Sequence, residues 1–393
     1  MRLLFLNSSL EPGRDGVGDY VRLLAGECQR YGHSCAIIAL HDRHITVPDE
    51  SVLNVGTGKI PLLRLPAASA WPERMGRAVA FRSWWQPDWI SLQFVSYGFN
   101  DKGVVLNLKS VFQAITADCP LHIMFHELWL GEDKSSPFRH RLIGGFQRHG
   151  IRRLVAGLKP QRLSTSNPAY AAMLRSIEIE AAILPLFGNI PISTMDSTEP
   201  LPTLLADAGI PREGVGRNQW WLGLFFGGLY SEWKAEPLMS TLLRAVQQIH
   251  KRICLVLAGR PGAEGEAIWE TLQRDYRRNI VLVKVGEQPA ETISALMQIA
   301  DFGISASPWQ LIGKSGTAAA MLDHGLPVIL SRDDFQPRIA PELPPSTDPL
   351  FHLCDASLES KLLVGLRKSP PRSRLGEITA QFCRLLESPR VTA

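Results

Sequence analysis

The chain is 393 residues long, 45% hydrophobic and 20% charged, with a formal net charge of +4. That length favours two domains of about 100 to 200 residues each, and the composition is that of an ordinary globular chain rather than a disordered one. So mild a charge does not argue for a nucleic-acid partner, and no DNA- or RNA-binding motif accompanies it.

The opening Met1-Arg2-Leu3-Leu4-Phe5-Leu6-Asn7 holds a short apolar run, whereas a signal peptide needs a longer one and a small-residue cleavage site. No stretch reaches the roughly 20 apolar residues of a spanning helix. Six cysteines (Cys28, Cys35, Cys119, Cys254, Cys354 and Cys383) are scattered without a CxxC pair. Zinc sites and disulfide frameworks both need tighter clustering. The expectation is a reduced, cytosolic protein without metal or cofactor, with attachment to a membrane surface left open.

In chain order, Leu3–Leu6 reads as a buried strand and Gly13–Gly18 as a glycine-rich turn. Val21, Leu24, Ala25 and Cys28 then fall at helical spacing between Tyr20 and Tyr31, and Gly32 stops the helix. Ala36–Leu40 is the next strand, which makes a parallel-sheet unit. The alternation runs on through Trp89–Leu92, Leu121–Phe125, Leu163–Ser166, a helix at Pro168–Arg175, and Ala182–Pro185. That is about six strands, one doubly wound domain over 1–190. Residues 191–218, rich in proline and small or polar side chains, read as a linker. The rhythm restarts with Trp221–Phe226, a helix at Pro237–Ile249, Ile253–Gly259, Ile280–Val283, a helix at Ala290–Ile299, Phe302–Ser305 and Pro327–Leu330. A second domain of the same class is expected over 219–365. In the remaining 366–393, a helix at about Leu375–Leu386 is expected to return to the first domain.

In open α/β sheets, ligands sit outside the carboxyl ends of the strands, so the loops that follow strands carry the functional reading. The first is Gly13-Arg14-Asp15-Gly16-Val17-Gly18-Asp19-Tyr20. Its glycines allow close backbone approach, and the helix start offers amides to an anion. A dinucleotide fingerprint would need a third glycine where Val21 stands, so NAD and FAD are disfavoured. The plain alternative is a tight turn that only joins strand to helix.

The stretch GVGDYVRLLAGECQRYGHSC, with its Gly32-His33 pair, resembles the opening of the family-4-type (group 1) retaining glycosyltransferases, which have the two-Rossmann GT-B architecture. Pro87-Asp88 with Gln93–Phe99, Phe125-His126-Glu127, and Leu184–Pro191 resemble later landmarks of that family in the same order. The resemblance implies two Rossmann-like domains facing across a cleft. It also implies that Gly16, Val17, Gly18 and Asp19 lie against the diphosphate and sugar of a nucleotide-sugar donor. His126, beside Glu127, would hydrogen-bond the sugar. Phe226–Lys234 is similar to the family's diphosphate loop, with Gly228 where an arginine is usual and Lys234 supplying a charge. Gly286-Glu287 resembles the base-binding turn, with Glu287 a possible ribose contact.

The family's two glutamates, eight positions apart, fall on Ile312 and Ala320 and are absent. Lys314-Ser315-Gly316-Thr317 stands between them at a helix start, where amides, two hydroxyls and an ammonium suit a diphosphate. The plain alternative is a capped helix with an exposed lysine, and Pro308 excludes a Walker A motif. The implied activity is transfer of a sugar from a nucleotide diphosphate sugar to a glycan, lipid or small-molecule acceptor, with retention and without metal. His126, Lys234 and Lys314 are the catalytic candidates. A non-catalytic, nucleotide-binding relative is the alternative reading, and a sugar-nucleotide epimerase the third.

Finally, no acid occurs between Asp133 and Glu178, while nine lysines and arginines do. Arg148 and Arg152 share a helix face, with Leu154, Val155 and Leu158 as an apolar stripe. Peripheral contact with anionic lipid through Arg139–Arg162 is one reading, a solvated helix face the other.

Overall fold

Apolar runs such as Leu3–Leu6 are buried on both faces when they lie between layers of helices, and all four of these residues are fully buried. The computed structural model describes residues 1–55, 58–106, 108–194 and 216–388. The chain divides into two compact units: Met1–Leu186 with Gln336–Pro344 and Leu375–Ala393, and Phe187–Phe335 with Pro345–Arg374. Most of the expected linker, 195–215, lies outside the described residues.

In the first unit, β1 (Arg2–Asn7) leads into α1 (Gly16–Arg30) and β2 (Ser34–Asp42). There follow β3 (Asp49–Val55), β4 (Gly58–Pro66), α2 (Trp71–Trp85), β5 (Trp89–Phe94), the single turn α3 (Ser96–Phe99) and α4 (Leu108–Thr116). Then come β6 (Leu121–Phe125), α5 (Phe138–Leu158), β7 (Arg162–Thr165), α6 (Pro168–Arg175) and β8 (Ala182–Ile183). The strand order is β3-β4-β2-β1-β5-β6-β7-β8, parallel except for the β3–β4 pair. Eight strands therefore replace the expected six or so, the main addition being the β3–β4 hairpin. Helix α1 also begins at Gly16 rather than Tyr20, because Asp15 caps it with bonds from Val17 N and Gly18 N.

The second unit contains β9 (Trp220–Phe226), α7 (Leu238–Gln248), β10 (Arg252–Ala258), α8 (Gly262–Tyr276) and β11 (Val281–Gly286). It continues with α9 (Ala290–Ile299), β12 (Phe302–Ser305), α10 (Gly316–Asp323), β13 (Val328–Leu330), β14 (Phe351–Leu353) and α11 (Leu358–Val364). Its order, β11-β10-β9-β12-β13-β14, is the Rossmann order of strands. Two apolar layers cover the two faces: Trp221, Phe225, Trp233 and Trp269 belong to one, and Leu222, Val256, Met297 and Met321 to the other.

The last helix, α12 (Leu375–Glu387), belongs to the first unit. Phe382 stacks on Phe5 at 5.9 Å, and Arg162 donates to Leu385 O at 2.8 Å. No helix among the described residues is long and apolar enough to cross a membrane.

Candidate functional site

Strand order reverses direction between β1 and β5 in the first sheet and between β9 and β12 in the second. Such switch points open crevices at the carboxyl ends of the strands, so each unit has one place to search.

In the first unit the loop after β1 is fixed from below by Asp42. Its carboxylate accepts from Leu10 N (3.2 Å), His44 N (3.0 Å) and Arg64 Nε (2.7 Å). Burial alone would raise this carboxyl, but Arg64 and the amides reverse that and hold it below the usual range. Gly16, Val17, Gly18 and Asp19 form the first turn of α1. Gly18 has no room for a side chain: a Cβ would lie 2.7 Å from Ser9 O and 3.1 Å from Leu10 Cα. Asp15 Oδ1 accepts from Val17 N and Gly18 N at 3.0 Å each, and Asp19 accepts from Gly13 N at 3.1 Å. Of the residues expected to face a diphosphate, Val17 and Gly18 thus have their amides satisfied within the loop. Burial raises the Asp15 carboxyl.

His126 sits at the end of β6, buried, with Nε2 2.8 Å from Gln93 Oε1 and its ring edge-on to Tyr20 at 5.1 Å. Burial pushes its pKa down to about 3, so the imidazole is neutral. Behind it runs a buried polar chain. Gln93 Nε2 donates to Ser91 Oγ (2.7 Å), Ser91 meets His122 Nδ1 (2.9 Å), and His122 Nε2 meets Ser164 Oγ (2.7 Å). Glu127, next in sequence, is half-buried. Asn7 Oδ1 and Ser96 Oγ, on the two sides of the switch point, are buried without a partner among the described residues.

In the second unit, three glycine turns end three adjacent strands. Gly227, Gly259 and Gly286 take φ of +86°, +90° and +65°, the left-handed region open to glycine. Gly227 N bonds Ala258 O (2.9 Å) and Gly259 N bonds Gly286 O (2.7 Å), which joins the turns into one shelf. A Cβ on Gly227 would lie 2.8 Å from Thr317 Cγ2, so Thr317 stands over the switch point. Ser315 Oγ caps α10 through Ala318 N (3.2 Å) and meets Thr317 Oγ1 (3.1 Å), with Gly316 opening the helix.

Between the loops that follow β9 and β13 is a cavity of about 580 Å³, lined by Ser231, Glu232, Lys234, Glu236, Ser331, Arg332, Asp333 and Asp334. Lys234 Nζ rests on Ser231 O at 3.1 Å. Arg332, with its side chain 12% exposed, grips Asp334 by two bonds of 3.0 and 2.8 Å and holds that carboxyl below its usual range. Bonds from Ser240 and Tyr276 do the same for Glu236. Ser331 Oγ is buried with no partner among the described residues, which makes it a ready contact for a ligand or water. The chemistry on offer is mixed: cations for an anion, carboxylates for hydroxyl donors.

Of the sequence candidates, Lys234 lines this cavity and Lys314 does not; it is half-buried at the end of a 3₁₀ turn, Trp309–Lys314. Gly228 is half-buried beside Tyr230, and Glu287, after Gly286, pairs with Arg260 at 2.5 Å. The two positions that lack glutamates are core. Ile312 is 2% exposed against Ala318 and Leu330, and Ala320 is fully buried, its Cα 2.6 Å from where a Gly188 Cβ would lie. Sequence reasoning missed Arg332 and Asp334, although they follow the Pro327–Leu330 strand directly. Among the described residues, no group of three or more His, Cys, Asp or Glu is arranged to hold a metal ion.

No family model matches the chain, and no curated protein matches its sequence. Solved structures do match it. The catalytic domain of starch synthase IV from Arabidopsis thaliana, bound to ADP and acarbose, aligns with a TM-score of 0.57 at 10% identity, covering 98% of this chain and 98% of that one. HepE from Anabaena, in complex with UDP, aligns at 0.56 and 15% identity over 99% of this chain and all of the other. UDP-GlcNAc 2-epimerase from Methanocaldococcus jannaschii aligns at 0.55 and 11% identity, over 98% and 99%. At such identities the likeness speaks for the fold: this chain has two Rossmann-like domains of the GT-B type.

Proposed function

We propose that this protein is a nucleotide-sugar glycosyltransferase that binds its donor at the carboxyl edge of the second sheet. The observation that carries this is the cavity holding Lys234 and Arg332 beside the β9–β12 switch point. It is supported by a fold shared along its length with proteins solved with UDP or ADP. In this reading Lys234 and Arg332 stabilise the charge that develops on the departing diphosphate, the electrostatic form of catalysis. Glu232 and Asp333 accept hydrogen bonds from sugar or ribose hydroxyls, work that Ile312 and Ala320 cannot do. Thr317, the first turn of α10 and Lys314 lie on the phosphate side, and Gly286 with Glu287 on the side of the base. Independently of that cavity, the neutral imidazole of His126 in the first unit is a candidate for hydrogen bonding to a sugar hydroxyl. Transfer with retention, to a glycan, lipid or small-molecule acceptor and without a metal, completes the proposal.

A second reading, a relative that binds nucleotide without transferring sugar, is favoured by the buried aliphatic residues at both glutamate positions and by the amides of α1 that Asp15 occupies. Donor turnover separates the two. Incubation with UDP-, ADP- and GDP-sugars is expected to release free nucleoside diphosphate from one of them, with at least about a tenfold loss in Lys234→Ala and Arg332→Ala. Nucleotide binding with no release from any donor supports the second reading. An epimerised nucleotide sugar as product points to an epimerase.

A further inference from the structure

Helix α5 presents an apolar stripe on the side that its unit leaves open. Phe138, Leu142 and Phe146 follow one another at i, i+4 and i+8, hence along one face, and are 76%, 54% and 53% exposed. Leu130, whose carbonyl lies against Gly144, is exposed as well. The stripe cannot roll inward, because the opposite face is locked. Gln147 is fully buried, donating to Tyr97 Oη (2.8 Å) and Lys102 O (2.7 Å) while its Oε1 accepts from Leu130 N (2.9 Å). A Cβ on Gly131 would lie 2.7 Å from Arg141 Cα, so the preceding loop is pressed onto the helix too. The apolar stripe read from the sequence, Leu154, Val155 and Leu158, is a different one: Leu154 is 1% exposed and packs into the unit, with Val155 and Leu158 half-buried.

On α5 itself the formal charge has one sign. Arg139, Arg141, Arg148, Arg152 and Arg153 are all exposed, and the sequence holds no carboxylate between Asp133 and Glu178. Arg152 meets Glu178 at 3.3 Å, and Arg141 turns onto the carbonyls of Ser136 and Lys134. Arg139, Arg148 and Arg153 make no ion pair among the described residues. Large apolar side chains flanked by guanidinium groups match the boundary between headgroups and acyl chains of an anionic bilayer. A second copy of the chain suits the face poorly, since self-pairing would set arginines against arginines with no carboxylate on α5 to answer them.

We propose that this face of α5 docks the protein on an anionic lipid surface, with Phe138, Leu142 and Phe146 inserted and Arg139, Arg148 and Arg153 at the level of the phosphates. The proposal stands apart from the donor site, and its test uses no nucleotide. The full chain is floated with vesicles of phosphatidylcholine alone and of phosphatidylcholine mixed with phosphatidylglycerol. Binding is expected to the mixed vesicles, weakened by salt and at least about tenfold lower for F138S/L142S/F146S and for R148E/R153E. No binding to the mixed vesicles, or binding that neither variant changes, overturns the proposal. So does a wild-type dimer in light scattering that F138S/L142S/F146S makes monomeric without any vesicle binding, since that outcome gives the face to a second copy.

Discussion

The two switch points solve one problem, how to terminate parallel strands in a crevice, with different chemistry. In the first unit the amides at the start of α1 are turned onto Asp15, so the helix end is neutralised by its own cap. In the second unit the loops after β9 and β13 bring Lys234, and an Arg332 already paired with Asp334, to a cavity where Ser331 Oγ lacks a partner among the described residues. The contrast is between amides that a side chain of the same loop holds and a lysine that bonds only a backbone carbonyl among the described residues.

The largest effect expected from breaking this contrast is at Gly18. Valine there would drive its Cβ into Ser9 O and Leu10 Cα, both backbone, and should cost about 3 kcal/mol of stability in urea unfolding. Gly16, two residues earlier, meets nothing within 4 Å, so Gly16→Ala should change stability by no more than about 1 kcal/mol. Equal effects at the two positions would mean that the turn is not packed against the β1 loop as described.

The buried polar chain behind His126 gives a pH test. Burial pushes His126 and His122 down to about 3, with the charge of His126 adding to the shift of His122. In the unfolded chain both return to the ordinary 6.5 and take up protons below it. Stability is therefore full above pH 6.5 and falls as the pH drops toward 3. His126→Asn should make that fall shallower by about one proton, roughly 1.4 kcal/mol per pH unit at the steepest point. An unchanged slope would contradict the assignment of a neutral, buried imidazole.

Asp15 gives a smaller effect and the sharper comparison. Removing the cap in Asp15→Ala should destabilise by about 1 kcal/mol, while opening the first turn of α1 to sulfate or phosphate. Anion binding to that variant and not to the wild type, read by calorimetry, would support the contrast. Binding to both alike would break it.

Much of the fold was legible in the sequence because buried parallel strands write themselves as apolar runs, as in Leu3–Leu6 and Ile253–Ala258. The β3–β4 hairpin was not, since β3 is mostly exposed and its register is set by pairing with β4 rather than by burial. Helix α5 misleads for a related reason: the N-terminal part of its buried face carries Gly144, Gln147 and Gly150, with Ile151 and Leu154 only beyond them, while its exposed face carries Phe138, Leu142 and Phe146. Apolar spacing shows that a helix has two faces, but here close backbone approach and a satisfied glutamine decide which one is inside. At the candidate site, Lys234 was readable from its place after a strand. Arg332 followed the same rule but was overlooked for the polar run at Lys314, whose hydroxyl Ser315 serves as a cap. That Ile312 and Ala320 are core residues rather than emptied ligand positions could be seen only from their packing.

The claim that the second unit binds a nucleoside diphosphate through side-chain cations is tested most directly by titrating UDP, ADP and GDP into the wild type, Lys234→Ala and Arg332→Ala. Binding of at least one nucleotide, weakened about tenfold (about 1.4 kcal/mol) by either substitution, is the predicted result. No binding by the wild type, or binding that neither substitution weakens, would contradict it.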